Sequence, residues 1–136
     1  MKKLTLILTV AAAVVVLMSL VTFAAQSGSI KTVKRGPLVH MVSFKFKPEA
    51  TAAQIKEVEV AFGALKTKIP QIVSYEWGTN ISPEKLDKGF THGFILTFAD
   101  DKDRDVYLKH PDHQAFGKIV GPVLGDVFVV DFQARD

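Results

Sequence analysis

Apolar and polar residues alternate in several segments of the chain, and this period of two is typical of β-strands. The clearest case starts at Leu38, where every second residue up to Phe46 falls on one face. In a later segment, Thr91–Phe98, the shared face carries His92, Phe94, Leu96 and Phe98. The pattern therefore predicts strands at residues 38–46, 72–80, 91–98 and 127–132.

Between the first two predicted strands, apolar residues recur every three to four positions. This spacing indicates an amphipathic helix. Its apolar stripe consists of Ile55, Val58, Phe62, Leu65 and Ile69. We expect the helix to open at Pro48-Glu49, because proline suits a first turn and an acidic residue favours the positive end of the helix dipole. Pro70 should stop it.

A second helical region follows the third strand. Asp100 is suited to cap it, since its side chain can accept from the first free N–H groups. We expect the helix to run to about Lys109, to break at His110-Pro111 and to restart near Asp112.

The predicted order is β-α-β-β-α-β, which is a ferredoxin-like α+β arrangement. Helices can cover only one face of such a sheet. Apolar residues nevertheless occupy both faces of the last strand. Phe128, Val130 and Phe132 lie on one face, and Val127 and Val129 lie on the other. If one face of the sheet were exposed to water, apolar and polar residues should alternate more strictly along its strands. We therefore predict a homodimer in which two sheets face each other as a dimeric α/β barrel.

The N-terminal segment has the layout of a secretory signal peptide. Lys2 and Lys3 precede an apolar run that extends to about Phe23, and small residues follow it. About 20 apolar residues could also span a bilayer as an uncleaved anchor. We expect a signal peptide or anchor at 1–24, a flexible linker at 25–37 and one domain at 38–136. The protein should then be exported, either periplasmic or secreted, and membrane-bound only if the segment is retained.

Composition excludes several classes of function. The chain of 136 residues contains no cysteine, so disulfides, thiolate metal sites and a cysteine nucleophile are ruled out. Its formal charge is +3, and loss of Lys2 and Lys3 with the signal would leave +1. A near-neutral domain gives no electrostatic case for nucleic-acid binding. We expect no metal and no cofactor, because His110, Asp112 and His113 alone make a weak ligand set.

The histidines are the candidate chemical groups. His40 and His92 lie on one face of neighbouring predicted strands. His110 and His113 flank the predicted helix break, and His113 follows Tyr107 by six residues. An imidazole beside a phenol in an apolar pocket can remove a proton and stabilise the resulting enolate. The structural alternative is that these side chains pack and bond to the backbone, with His110 fixing the helix break.

The segments Leu38–Lys47, Thr91-His92 and Tyr107–His113 resemble the stress-responsive A/B barrel domain family, and the resemblance covers residues 38–132. It implies a dimeric α+β barrel. The family includes stress proteins without a clear catalytic role and a polyketide cyclase that uses a histidine base and a tyrosine. By resemblance those roles fall on His113 and Tyr107, with His40 and His92 lining the pocket. Phe62 on the first helix is expected to be a further pocket wall, and His110 is counted among the pocket residues.

Two functions from different classes remain open. The first is an exported stress-response protein that binds a small apolar molecule without catalysis. The second is an enzyme acting on a small carbonyl compound, as a cyclase or as a barrel monooxygenase. An open pocket where His113 and Tyr107 converge would favour the enzyme, whereas a pocket filled by Phe62 and Phe94 would favour the binding protein. A unit of larger ring assemblies is a third alternative.

Overall fold

The computed structural model describes residues 36–135, which form a four-stranded antiparallel sheet with helices. The expected signal peptide or anchor at 1–24 and most of the expected linker lie outside the described residues. No helix within residues 36–135 has the length and apolar character needed to cross a membrane. The elements are β1 (Leu38–Phe46), α1 (Ala52–Lys68), β2 (Ser74–Thr79), β3 (His92–Phe98), α2 (Asp101–Lys109), α3 (Pro111–Val120) and β4 (Leu124–Gln133).

The sheet has the strand order β2-β3-β1-β4, so the ferredoxin-like prediction is confirmed. β1 has its predicted bounds and β3 lacks only the first predicted residue. β2 is shorter than predicted, and β4 begins three residues earlier because it stays paired with β1 as far as the pair Phe46–Leu124. Alternation of side chains therefore predicts the two central strands better than the two edge strands.

The predicted start of α1 at Pro48-Glu49 is wrong. The helix begins at Ala52, and Thr51 is its N-cap. The Thr51 side chain accepts from the backbone N–H of Gln54, while the Gln54 side chain accepts from the backbone N–H of Thr51 at 2.9 Å. This reciprocal capping box satisfies two free donors, which a proline and an acidic residue in the preceding turn do not do.

The predicted break in the second helical region is present. Asp100 caps α2 by accepting from the N–H groups of Lys102 and Asp103. His110 is extended, as expected of a residue before proline, and its Nδ1 accepts from the N–H of Asp112 at 3.2 Å. Since one residue ends α2 and caps α3, the chain changes direction within a single position.

The core lies between the helices and one face of the sheet. Phe62 on α1 is at its centre, with ring centroids 4.5 Å from Phe94 and 4.6 Å from Phe116. Phe44 completes the group at 4.9 Å from Phe94. Such aromatic pairs contribute about 0.5–1.5 kcal/mol each beyond the burial of their area. This phenyl cluster of Phe44, Phe62, Phe94 and Phe116 holds α1 and α3 against the two central strands.

The other face of the sheet, called here the open face, carries no helix of the described chain. It contains the residues that alternate with the buried ones on β1 and β3, among them Met41 and Ile95. Phe128 and Phe132 on β4 are 48 % and 47 % exposed, and Ile95 is 40 % exposed. Large apolar side chains are thus left in contact with water on this face of the sheet.

Candidate functional site

Tyr107 lies at the centre of a polar cluster at one end of the core. Its side chain is only 1 % exposed, and its ring centroid lies 4.3 Å from that of His113 and 5.8 Å from that of His40. The three side chains come from α2, α3 and β1 respectively. The break at His110 allows this arrangement, because it turns α3 back so that its first turn reaches the last turn of α2.

His113 is held in a defined tautomer. Its Nδ1 lies 3.2 Å from the carbonyl oxygen of Leu108. A carbonyl oxygen only accepts, so Nδ1 donates and the lone pair of the neutral ring is on Nε2. Burial lowers the pKa of His113, and the nearby His40 lowers it further, while the bond to Leu108 acts in the opposite direction. The ring is therefore neutral at pH 7 and able to accept a proton.

Tyr107 is suited to donate. Burial is the main cause that raises the pKa of its phenol well above the ordinary value. The hydroxyl therefore stays protonated throughout the physiological range. It can therefore act as a hydrogen-bond donor for an oxygen that gains negative charge.

His40 is oriented by a carboxylate that sequence reasoning missed. Its Nδ1 lies 2.6 Å from Oδ1 of Asp131, the residue directly opposite on β4. Arg104 on α2 donates to the second carboxylate oxygen. Asp131 is the charged residue in a run of apolar residues, which was a signal, but only the strand register reveals its partner.

His92 is not part of the Tyr107 cluster. His40 pairs with Leu96, four residues from His92, which corresponds to roughly 14 Å along the strand. The His92 Nε2 lies 3.3 Å from Oε1 of Glu59, and its Nδ1 lies 2.9 Å from the hydroxyl of Thr91. Both ring nitrogens thus have partners at the opposite end of the core.

Glu59 is the second carboxylate that the sequence did not single out. Lys56 donates to it at 2.9 Å. That bond is the main cause that lowers the pKa of Glu59, and the bond to His92 lowers it further, against the effect of partial burial. The helical spacing of Lys56 and Glu59 was visible in the sequence, whereas the contact between α1 and β3 was not.

Two other expected pocket residues make contacts that support the fold. His110 caps α3, and Phe62 lies inside the phenyl cluster. Nearby, the hydroxyl of Tyr75 is buried without a hydrogen-bond partner among the described residues. Within residues 36–135 no three metal-ligating side chains come together.

A cavity of about 890 Å³ lies against the open face, beneath the segment that joins β2 to β3. At its floor Gly78 pairs with Gly93, which is opposite Ser43. A Cβ at either glycine would meet nothing within 4 Å, so this row of small residues forms a hollow in the sheet. Apolar side chains surround the hollow, including Met41, Ile81, Leu86, Phe90, Ile95 and Phe128.

Two curated plant proteins are similar to the chain over most of their own length. The stress-response A/B barrel domain-containing protein HS1 of Arabidopsis thaliana is 30% identical over 99 residues, which cover 73% of this chain and 91% of that protein. Olivetolic acid cyclase of Cannabis sativa is 28% identical over 96 residues, covering 71% and 95% respectively.

Solved structures share the fold. Hydroxynitrile lyase from Passiflora edulis superposes with a TM-score of 0.70 at 24% identity, covering 74% of this chain and 95% of its own, and this likeness concerns the fold alone. A dimeric ferredoxin-like protein from Jannaschia has a TM-score of 0.65 at 26% identity, covering 73% and 100%.

The family assignment follows from the match over the domain itself. The Stress responsive A/B Barrel Domain matches residues 38–134, which include the complete sheet and all the helices described above. This chain therefore belongs to the stress-responsive A/B barrel domain family.

Proposed function

We propose that this protein is an exported, homodimeric stress-response A/B barrel protein that binds a small apolar molecule. The observation that carries the proposal is the cavity on the open face, which has the size and the mainly apolar lining typical of ligand sites. The space between sheet and helices gives less support for a ligand there, because Phe62 and Phe94 are almost completely buried in the phenyl cluster.

The shape of the cavity favours a flat, ring-sized ligand. Gly78 and Gly93 have no side chains, so at this position a ring can lie directly on the backbone of two neighbouring strands, beside Ile95. Few charged groups line the cavity, among them Glu76 and Lys88. These provide limited polar contacts at the edge of an apolar surface.

Self-association would bury the open face and enclose the cavity. Its exposed side chains, Ile95, Phe128 and Phe132, form the kind of apolar surface that marks an interaction site. The similar Jannaschia protein is described as dimeric. In the proposed dimer the second copy covers the cavity, so the ligand site is complete only in the assembly.

Export is proposed from the N-terminal segment. Lys2 and Lys3, the apolar run and the small residues after it fit a signal peptide, and retention of the run would instead anchor the domain. In either case the domain would act outside the cytoplasm.

A second candidate function is proton transfer on a small carbonyl compound, as in a cyclase. The observation that favours it is the pairing of the neutral, oriented His113 with the protonated Tyr107. In this proposal Nε2 of His113 takes a proton next to the carbonyl, and the hydroxyl of Tyr107 donates to the oxygen of the enolate. Similarity to a protein named olivetolic acid cyclase supports a cyclase-type reaction as the candidate.

Filling the hollow tests the ligand proposal. The change Gly93→Leu places a side chain in open space on the sheet, so the fold should be kept while the cavity is blocked. We expect binding of the aromatic probe 8-anilinonaphthalene-1-sulfonate, followed by fluorescence titration, to weaken about tenfold or more. Gly117→Leu, also in open space but on α3, is the matched control. Equal probe affinity in both variants would contradict the proposed site.

A charge on the open face tests the dimer. Phe132→Glu should give a monomer, because an ionised carboxylate would be buried without a partner. Val60→Glu, at a site on α1 that is 62 % exposed, should leave the dimer intact. Sedimentation equilibrium at micromolar concentration measures both. A monomeric unmodified protein would refute the proposed assembly.

The intact mass of the protein from the producing cell tests export. We expect it in the extracytoplasmic fraction without residues 1–24, or in the membrane fraction at full length if the segment anchors it. Full-length protein confined to the cytoplasm would rule out both forms of export.

Exchange of the α-protons of acetophenone in D₂O, followed by NMR, tests proton transfer. We expect His113→Ala to slow the protein-catalysed exchange by about 10²-fold or more. Tyr107→Phe should slow it less, and Lys118→Ala, on the exposed side of α3, should not change it. Because the pKa of His113 is lowered from 6.5, the rate should remain constant through that pH and fall only in more acidic solution. Unchanged exchange in His113→Ala would remove this residue from the catalytic role.

A further inference from the structure

Asp131 lies between two partners from different elements. Its Oδ1 is 2.6 Å from Nδ1 of His40 on β1, and its Oδ2 accepts from Arg104 on α2. The His40 side chain is 7% exposed, whereas those of Asp131 and Arg104 are 27% and 22% exposed. We infer that Asp131 is a positioning residue, which fixes the tautomer of His40 and makes that imidazole a second proton acceptor beside Tyr107.

The tautomer follows from the hydrogen-bond chemistry. An ionised carboxylate only accepts, so Nδ1 of His40 carries a proton and donates it to Asp131. In the neutral ring the lone pair is then on Nε2. The other groups around the ring are Phe98 on β3, Tyr107 on α2 and His113 on α3. None of these offers Nδ1 an equivalent anionic acceptor.

Arg104 keeps the carboxylate in this orientation. The bond to Asp131 is the largest cause that raises the pKa of Arg104, and Asp105 contributes through a bond to Nε at 2.8 Å. A guanidinium only donates. It therefore requires an acceptor at the outer position of residue 131, while the inner position faces His40.

Arg104 and His40 both need an acceptor at residue 131, and this predicts the effect of replacing the carboxylate by an amide. In Asp131→Asn the oxygen must face Arg104, so the NH₂ group faces His40 and needs an acceptor there. Nδ1 of His40 would then lose its proton and Nε2 would gain it. The same logic explains why an Asp-to-Asn change in a serine-protease triad produces the wrong tautomer of the catalytic histidine.

The consequence for chemistry rests on the proposed proton-transfer function. In the neutral form His40 and His113 both have their lone pair on Nε2, and both rings lie beside the ring of Tyr107. Either imidazole can take the proton from a small carbonyl compound, and the imidazolium that forms returns a proton to the enolate carbon at the end of the cycle. Reversal of the His40 tautomer would leave only His113 able to accept.

Ring ¹⁵N NMR of the full domain measures the tautomer directly. We expect a protonated Nδ1 on His40 in the native protein and a protonated Nε2 in Asp131→Asn, with the tautomer of His113 unchanged. Exchange of acetophenone α-protons should slow by about tenfold or more in the same variant. A structural role alone would not reverse the tautomer of one ring while leaving the other as it was.

Two further variants separate the partners of Arg104. Asp105→Asn removes the other carboxylate of Arg104 without touching His40, and should leave the His40 tautomer and the exchange rate unchanged. Arg104→Gln should also keep Nδ1 protonated, because Asp131 remains an acceptor. The variant Arg104→Gln keeps the inference testable if Asp131→Asn does not fold. A protonated Nε2 on His40 in Arg104→Gln would overturn the inference.

The outcomes distinguish this inference from the proposed function. If His40 in Asp131→Asn keeps a protonated Nδ1, or if Asp105→Asn reverses the tautomer equally, the positioning role is overturned. If the tautomer reverses as expected but native protein exchanges acetophenone no faster than buffer, the positioning role stands and the proton-transfer function fails.

Discussion

Packing of the phenyl cluster against one face of the sheet is the interaction on which the rest of the structure depends. Phe62 contacts the rings of Phe44 and Phe94 from the strands and that of Phe116 from α3. These contacts place both α1 and α3 on the same side. Burial of an aromatic side chain removes a large apolar area from water, and because Phe62 and Phe116 are both buried in this cluster, the helices that carry them cover only one face. The open face and its cavity follow from this asymmetry.

The same packing separates His40 and His113 from His92. At one end of the core His40 and His113 share the ring of Tyr107, and at the other end His92 is bonded to Glu59. His40 and His92 each have a carboxylate partner, which compensates for the loss of water around a polar ring. The two groups differ in whether a ring nitrogen is left without a hydrogen-bond partner. Both nitrogens of His92 are occupied, whereas the Tyr107 cluster retains lone pairs that can take part in proton transfer.

Most of the fold could be predicted from the sequence, since the central strands have a strict alternation and His110-Pro111 forces a break between helices. The start of α1 could not be placed correctly, because Pro48-Glu49 and Thr51 with Gln54 are both plausible openings and only the reciprocal capping bonds decide between them. The candidate site was predicted in part. Tyr107 and His113 are close in sequence and meet across the break, whereas Asp131, Arg104 and Glu59 reach their histidines through contacts between distant segments that no local pattern encodes.

The separation of the histidines by the aromatic core is tested most directly by ring NMR of the imidazoles in the variant Tyr107→Leu. The account predicts that the resonances of His40 and His113 both move, because each ring contacts Tyr107, and that those of His92 keep their positions. Movement of the His92 resonances by a similar amount, or movement of only one of the other two rings, would contradict it.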